Sequence, residues 1–142
     1  MKGYYKPKHP EKYTSNPMTI RYLSSWELKF MCYLDDSKDI IEWSSESTPI
    51  NYISPLDGRR HTYLPDFKIV TLNKKKERVV TIIEIKPFKF TSPPVKGKRI
   101  TKRYLTEVKR WGINEAKFKA AEAFCKKRGW YWKILTEKDL FK

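Results

Sequence analysis

The order of elements readable in the sequence predicts an α/β or α+β layer fold with a mixed sheet: one helix, several strands, a helical stretch, then a closing strand. Three observations carry this. Leu23, Phe30, Met31 and Leu34 recur at helical spacing. The segments His61–Val70 and Val79–Lys86 are rich in β-branched and aromatic residues and are joined by a lysine-rich connection, Asn73–Lys76, as in a hairpin. A second helical pattern near the end of the chain stops at Gly129, and Trp130–Leu135 reads as a final strand.

In chain order, residues 1–19 read as an extended basic arm. Pro7, Pro10 and Pro17 forbid regular helix, and Lys2, Lys6, Lys8 and Lys12 are interleaved with Tyr4, Tyr5 and Tyr13. Such an arm either lies along a phosphate backbone or packs on the domain, which occupies residues 20–142. The first helix is expected over Leu23–Leu34, because Ser24-Ser25-Trp26-Glu27 has the spacing of a capping box and Asp35-Asp36-Ser37-Lys38 breaks the pattern. Ile40–Trp43 and Ile50–Ile53 are short strands separated by polar Ser44–Ser47, and Ser54–Gly58 is a turn. Pro87 closes the second hairpin strand, and Pro93-Pro94 with Gly97 makes the following stretch a loop. A short helix over Tyr104–Trp111 and a longer one over Asn114–Arg128 come next, and Thr136–Leu140 starts a terminal turn or helix. Cys32 and Cys125 lack metal-ligand spacing and cannot form a disulfide framework. That suits a reducing compartment with both packed as small apolar side chains. No apolar run exceeds Phe30–Leu34, so neither a signal peptide nor a membrane span is expected.

Charge points to the partner. Among 142 residues, 31 Lys and Arg stand against 16 Asp and Glu, a formal net charge of +15. A metabolic enzyme for small anions needs only a few local cations, whereas a polyanion such as nucleic acid is bound by many, through counterion release. Disorder is disfavoured by 5 Trp, 9 Tyr and 7 Phe, enough to build a core.

The candidate chemistry lies in the hairpin. Strand alternation puts Ile82, Glu84 and Lys86 on one face and Ile83 and Ile85 on the other. A carboxylate and an ammonium thus emerge together where an apolar strand ends, either as a salt-bridged strand end or as part of a site. If paired residue numbers sum to 150, Asp66 sits opposite Glu84 and on its face. Two carboxylates so close repel unless a cation lies between them, and Mg²⁺ suits this arrangement through its preference for hard oxygen ligands. Glu27 falls in the apolar stripe of the first helix, where it either completes the Ser24 cap or joins the carboxylate pair. Lys117, on the stripe of Ile113, Ala120, Ala121 and Phe124, either snorkels outward or meets the carboxylates. His61 could bond phosphate or pack, and a zinc site is disfavoured without further His or Cys.

Glu27, Pro65-Asp66 and Glu84-Ile85-Lys86, in that order, resemble the signature of the PD-(D/E)XK nuclease superfamily. The flanking residues Tyr22–Glu27, His61–Phe67, Glu84–Pro87 and Asn114–Glu137 narrow the resemblance to two groups. These are the head completion nucleases of T4-like tailed phages and the TnsA-type transposase endonucleases, the small size favouring the former. The resemblance implies a restriction-endonuclease-like mixed β-sheet flanked by helices. It implies Asp66 and Glu84 as metal ligands, the Ile85 carbonyl as a backbone ligand, and Glu27 completing the shell directly or through water. It further implies Lys86 orienting the attacking water, with Lys117 on the scissile phosphate and Asn114 a weaker carry-over that helix capping explains equally well. Around this, Lys89, Lys96, Lys98, Arg99, Lys102 and Arg103 lie in a stretch, residues 85–106, with no acid, and are expected to grip the DNA backbone.

The expected function is therefore Mg²⁺-dependent endonucleolytic hydrolysis of double-stranded DNA, with Mn²⁺ able to substitute. The expected setting is phage head completion on packaged DNA, in the host cytoplasm and the virion, with head or portal proteins as partners and no membrane. The alternatives are a TnsA-like transposase subunit, and a non-catalytic protein that binds DNA ends in head completion. An RNA-binding module ranks last for want of an RRM-like or KH-type signature.

Overall fold

The computed structural model describes residues 2–141. The strands and helices in chain order are β1 (Gly3–Tyr4), β2 (Arg21–Tyr22), α1 (Ser25–Asp36), β3 (Ile40–Ser45), β4 (Ile50–Ile53), β5 (Arg60–Tyr63), β6 (Phe67–Leu72), β7 (Arg78–Ile85), α2 (Lys102–Arg128), β8 (Tyr131–Leu135) and α3 (Glu137–Leu140). The central sheet runs β3-β6-β7-β8, antiparallel except for the parallel pair β7/β8. That parallel pair requires a crossover, which α2 supplies. This is the mixed sheet flanked by helices that the sequence predicts.

Alternation along the strands divides the molecule into two layers. Phe67, Ile69 and Ile83 pack with Phe30, Met31 and Leu34 of α1. On the opposite face Ile50 and Tyr63, from the separate β4–β5 hairpin, pack against Ala121 of α2, with Phe118 and Trp132 beside them. The β6–β7 register pairs Phe67 with Ile83, Ile69 with Thr81 and Val70 with Val80, so residue numbers across the hairpin do sum to 150.

Three expectations are corrected. The single strand foreseen over His61–Val70 is two, because Pro65 has no amide to donate and the chain turns there; β5 pairs with β4 while β6 joins the main sheet. The two helices foreseen on either side of Gly112 are one 27-residue helix, capped by Thr101 and closed by Gly129 in the left-handed region (φ 70°). A lone glycine costs a helix interior only about 1 kcal/mol, too little to break one anchored at both ends. Cys125 is buried as expected, but Cys32 is exposed, lying off the apolar stripe of α1.

Residues 2–19 are tied to the domain rather than projecting from it. β1 pairs with β2, Tyr13 packs its ring edge-on against buried Trp43, and Tyr5 donates its amide to the Ile20 carbonyl. Buried Asp35 accepts from the Tyr5 hydroxyl and from the amides of Lys8 and His9. The Lys12 ammonium donates to the carbonyls of Leu34, Asp35 and Ser37, groups that the end of α1 leaves without partners. No helix among the described residues is long and apolar enough to cross a membrane.

Candidate active site

Three elements converge where β6 and β7 meet the β4–β5 hairpin. Asp66 precedes β6, and its carbonyl accepts from the Glu46 amide at 3.1 Å, which fixes the backbone there. Its Oδ2 accepts from the Ile85 amide at 2.8 Å. Glu84 stands on the α2 face of β7, and its Oε1 accepts from the Tyr63 hydroxyl at 2.6 Å. Each carboxylate thus has one oxygen fixed by a short hydrogen bond. Among the described residues no side chain donates to Asp66 Oδ1 or Glu84 Oε2, although the Asp66 amide lies close enough to the Glu84 carboxylate to favour its charged form. These two oxygens are also open to solvent, because among the described residues Trp43 Nε1 alone is a fully buried side-chain polar atom without a partner.

The electrostatics are those of two negative charges forced together. Burial, then the charge of Glu84, pushes Asp66 up to about 8. Burial also raises Glu84, opposed by the Tyr63 hydrogen bond and the charges of Lys86 and Lys117. Neither carboxylate forms an ion pair among the described residues. Two hard oxygens, oriented, solvent-reachable and short of positive charge, are the donor set that a divalent cation such as Mg²⁺ fits.

Two lysines flank the pair. Lys86 continues β7, its amide donating to the Leu135 carbonyl and its ammonium lying 5.6 Å from the Phe118 ring centre. Lys117 comes in from α2, 5.4 Å from the ring centre of Tyr63 and 5.9 Å from that of Tyr52. Lys117 lies on this side of the molecule without pairing with either carboxylate, and its charge lowers Glu84.

Glu27 performs the capping role. Ser24 Oγ accepts from its amide at 3.1 Å, and its carboxylate accepts from the Leu23 amide at 3.3 Å. These bonds hold it back at the helix start, half-buried. Among the described residues no three His, Cys, Asp or Glu side chains converge closely enough to hold a metal ion. The expected cluster of three carboxylates is accordingly a pair with flanking acids, since the charge of Glu27 still reaches Asp66. The second flanking acid, Glu46, was hidden in what read as a polar connection. It is exposed, has φ 48°, and its charge raises both Asp66 and Glu27.

The basic residues lie in the consecutive stretch from the end of β7 into α2. Lys89 follows the site in a 3-10 turn (Phe88–Thr91), Lys96, Lys98 and Arg99 lie in the loop, and Lys102 and Arg103 open α2; all six are exposed. Arg103 is paired with Glu107 at 3.2 Å. A groove of about 580 Å³ runs between loop and helix, lined by Lys89, Phe90, Arg103, Arg110, Trp111 and Asn114 among others. Asn114 therefore caps nothing, being inside α2. His61 is exposed and bonded to Asp57 at 2.8 Å. The residue that sequence reasoning passed over is Tyr63, whose reach to Glu84 depends on β5 leaving the main sheet for the β4–β5 hairpin.

Comparison with known proteins accords with this geometry. Residues 37–137 match the family described as TnsA-like endonuclease N terminal, a segment that holds Asp66, Glu84, Lys86 and Lys117. The chain is 38% identical over 142 aligned positions to the head completion nuclease of Enterobacteria phage T4, covering 97% of this chain and 92% of that one. No solved structure matches significantly.

Proposed function

We propose a function that proceeds from an established premise: the chain belongs to the TnsA-like endonuclease N-terminal family and is a nuclease of the PD-(D/E)XK type. On this premise it is a Mg²⁺-dependent DNA endonuclease that hydrolyses phosphodiester bonds and acts on packaged DNA during phage head completion. The observation that carries the reading is the half-buried Asp66–Glu84 pair, oriented by two hydrogen bonds, lacking an ion-pair partner among the described residues and flanked by Lys86.

Asp66 Oδ1 and Glu84 Oε2 would hold the cation, with the Ile85 carbonyl as the adjacent backbone oxygen and Glu27 acting through water. Mg²⁺ bound there supplies Lewis-acid stabilisation of the phosphoryl oxygens and a more acidic water. Lys86 orients the attacking water and places fixed positive charge where negative charge builds on the phosphate. Lys117 adds a second cation on the same face. Lys89, Lys96, Lys98, Arg99, Lys102 and Arg103 hold the duplex backbone without reading bases. The same donor set accepts Mn²⁺.

The phage setting is favoured over a transposase subunit because the likeness to the phage protein spans nearly the whole chain, whereas the family match begins at residue 37. Action on packaged DNA brings head or portal proteins within reach as partners, in the host cytoplasm or in the virion. Plasmid nicking tests the reading. Cleavage with Mg²⁺, none with EDTA, and none from Asp66→Ala or Glu84→Ala is expected. DNA binding by the intact protein without any cleavage would favour the non-catalytic end-binding alternative.

A further inference from the structure

Tyr63 belongs to the β4–β5 hairpin, outside the sheet that carries both carboxylates. Its ring is 6% exposed and packs against Phe118, and its hydroxyl reaches across to Glu84 Oε1 at 2.6 Å. A buried hydroxyl needs a partner, but this one has taken the residue on which the site depends. The bond has a geometric effect. A carboxylate at a strand end can rotate about its terminal torsion and present either oxygen to the site. With Oε1 occupied by Tyr63, Oε2 is the oxygen left to face outward. The Ile85 amide does the same for Asp66, engaging Oδ2 and leaving Oδ1. The two outward oxygens are thus selected by donors from two different sources, a backbone amide and a side chain. Lys117 lies over the Tyr63 ring, so α2 braces the hydroxyl's carrier from the other side.

We propose that Tyr63 is a positioning residue of the nuclease site: its hydroxyl locks Glu84 so that Oε2 faces the cation alongside Asp66 Oδ1. The inference rests on the nuclease reading above and adds a determinant to it. Tyr63 touches neither substrate nor cation; it acts through Glu84. Losing the hydroxyl leaves Glu84 in place but free to turn, so cation affinity falls while contacts to DNA persist.

The test is Tyr63→Phe, which keeps the ring and its packing against Phe118. Calorimetric titration with Ca²⁺, a hard cation of the same oxygen preference, reads the effect without catalysis. Half-saturation is expected to rise about 10- to 100-fold, the usual cost of removing an outer-shell partner of a metal ligand. In Mg²⁺ nicking assays the KM for DNA should be unchanged. Turnover should be low at limiting Mg²⁺ and recover substantially at saturating Mg²⁺. In a Glu84→Gln background Tyr63→Phe should produce no further loss of Ca²⁺ affinity, since the residue through which it acts has already lost its charge. Unaltered Ca²⁺ affinity in Tyr63→Phe would overturn the inference. So would a fall of more than about 10 °C in melting temperature in EDTA, which would make Tyr63 a core residue and nothing more. If the unaltered protein neither binds Ca²⁺ nor cleaves with Mg²⁺, it is the nuclease reading that fails.

Discussion

Asp66 stands opposite Glu84 one step beyond the last paired residues of the β6–β7 hairpin, and its carboxyl is held up at about 8 by burial and by that neighbour's charge. The folded, metal-free protein therefore keeps a proton that the unfolded chain releases near pH 4. Between pH 4 and pH 8 the folded state binds more protons than the unfolded state, so stability must fall as pH rises through that window. The expected loss is on the order of a few kcal/mol. Melting curves in EDTA should shift down steadily from pH 5 to pH 8, and Mg²⁺ should reverse the shift at pH 8. A flat profile in EDTA would contradict the charge conflict.

The same conflict predicts a trade of activity against stability. Asp66→Asn should abolish cleavage yet raise the metal-free melting temperature at pH 8 by several degrees, because it removes one of two repelling charges. At pH 5, where Asp66 is already neutral, the gain should vanish. Calorimetric scans at the two pH values check this directly.

On the proposed mechanism Lys86 acts on charge that develops during reaction rather than on bound DNA. Lys86→Met should lower turnover by about 10²- to 10³-fold while leaving DNA affinity within about twofold. Parallel losses in both quantities would reduce it to a phosphate contact.

Replacing Lys98, Arg99, Lys102 and Arg103 together by Gln should flatten the salt dependence of DNA binding, lowering the slope of log K against log salt by up to about 3.5. Arg103 is already paired with Glu107, so its share should be the smallest of the four. An unchanged slope would take this loop off the DNA path.

Asp35 and Lys12 should prove structural. Asp35→Ala leaves three donors from Tyr5, Lys8 and His9 without their acceptor and should cost about 2–4 kcal/mol in urea denaturation. Lys12→Met, which uncaps the end of α1, should cost about 1–2 kcal/mol. Neither change should alter turnover per folded molecule.

What could be read in advance was what local pattern controls. The facing of Ile82 and Glu84 against Ile83 and Ile85, the register that sets Asp66 opposite Glu84, the Ser24 cap and the Gly129 stop all follow from periodicity and backbone preference over a few residues. Partners distant in sequence were not legible. Nothing near Tyr63 reveals that it reaches Glu84, 21 residues on, because that contact exists only once Pro65 has sent β5 and β6 into different sheets. Glu46 looked like any acid in a polar turn, and Lys12 like any lysine in a basic terminus, until the carbonyls of α1 were brought against it. Gly112 misled for the opposite reason: a weak local preference was overruled in a helix capped by Thr101, closed by Gly129 and packed through Phe118, Ala121 and Phe124.

The unbroken course of α2 has a metrical consequence. Lys102 in its first turn and Lys117 at the carboxylates are separated by fifteen residues of one rigid rod, a span of about 22 Å at 1.5 Å per residue. Laid along B-form DNA at 3.4 Å per step, that span equals about six to seven base pairs. If the duplex of the proposed function runs along α2, the helix acts as a ruler that sets a minimum footprint on one side of the cut, and oligonucleotides trimmed below that length should bind more weakly.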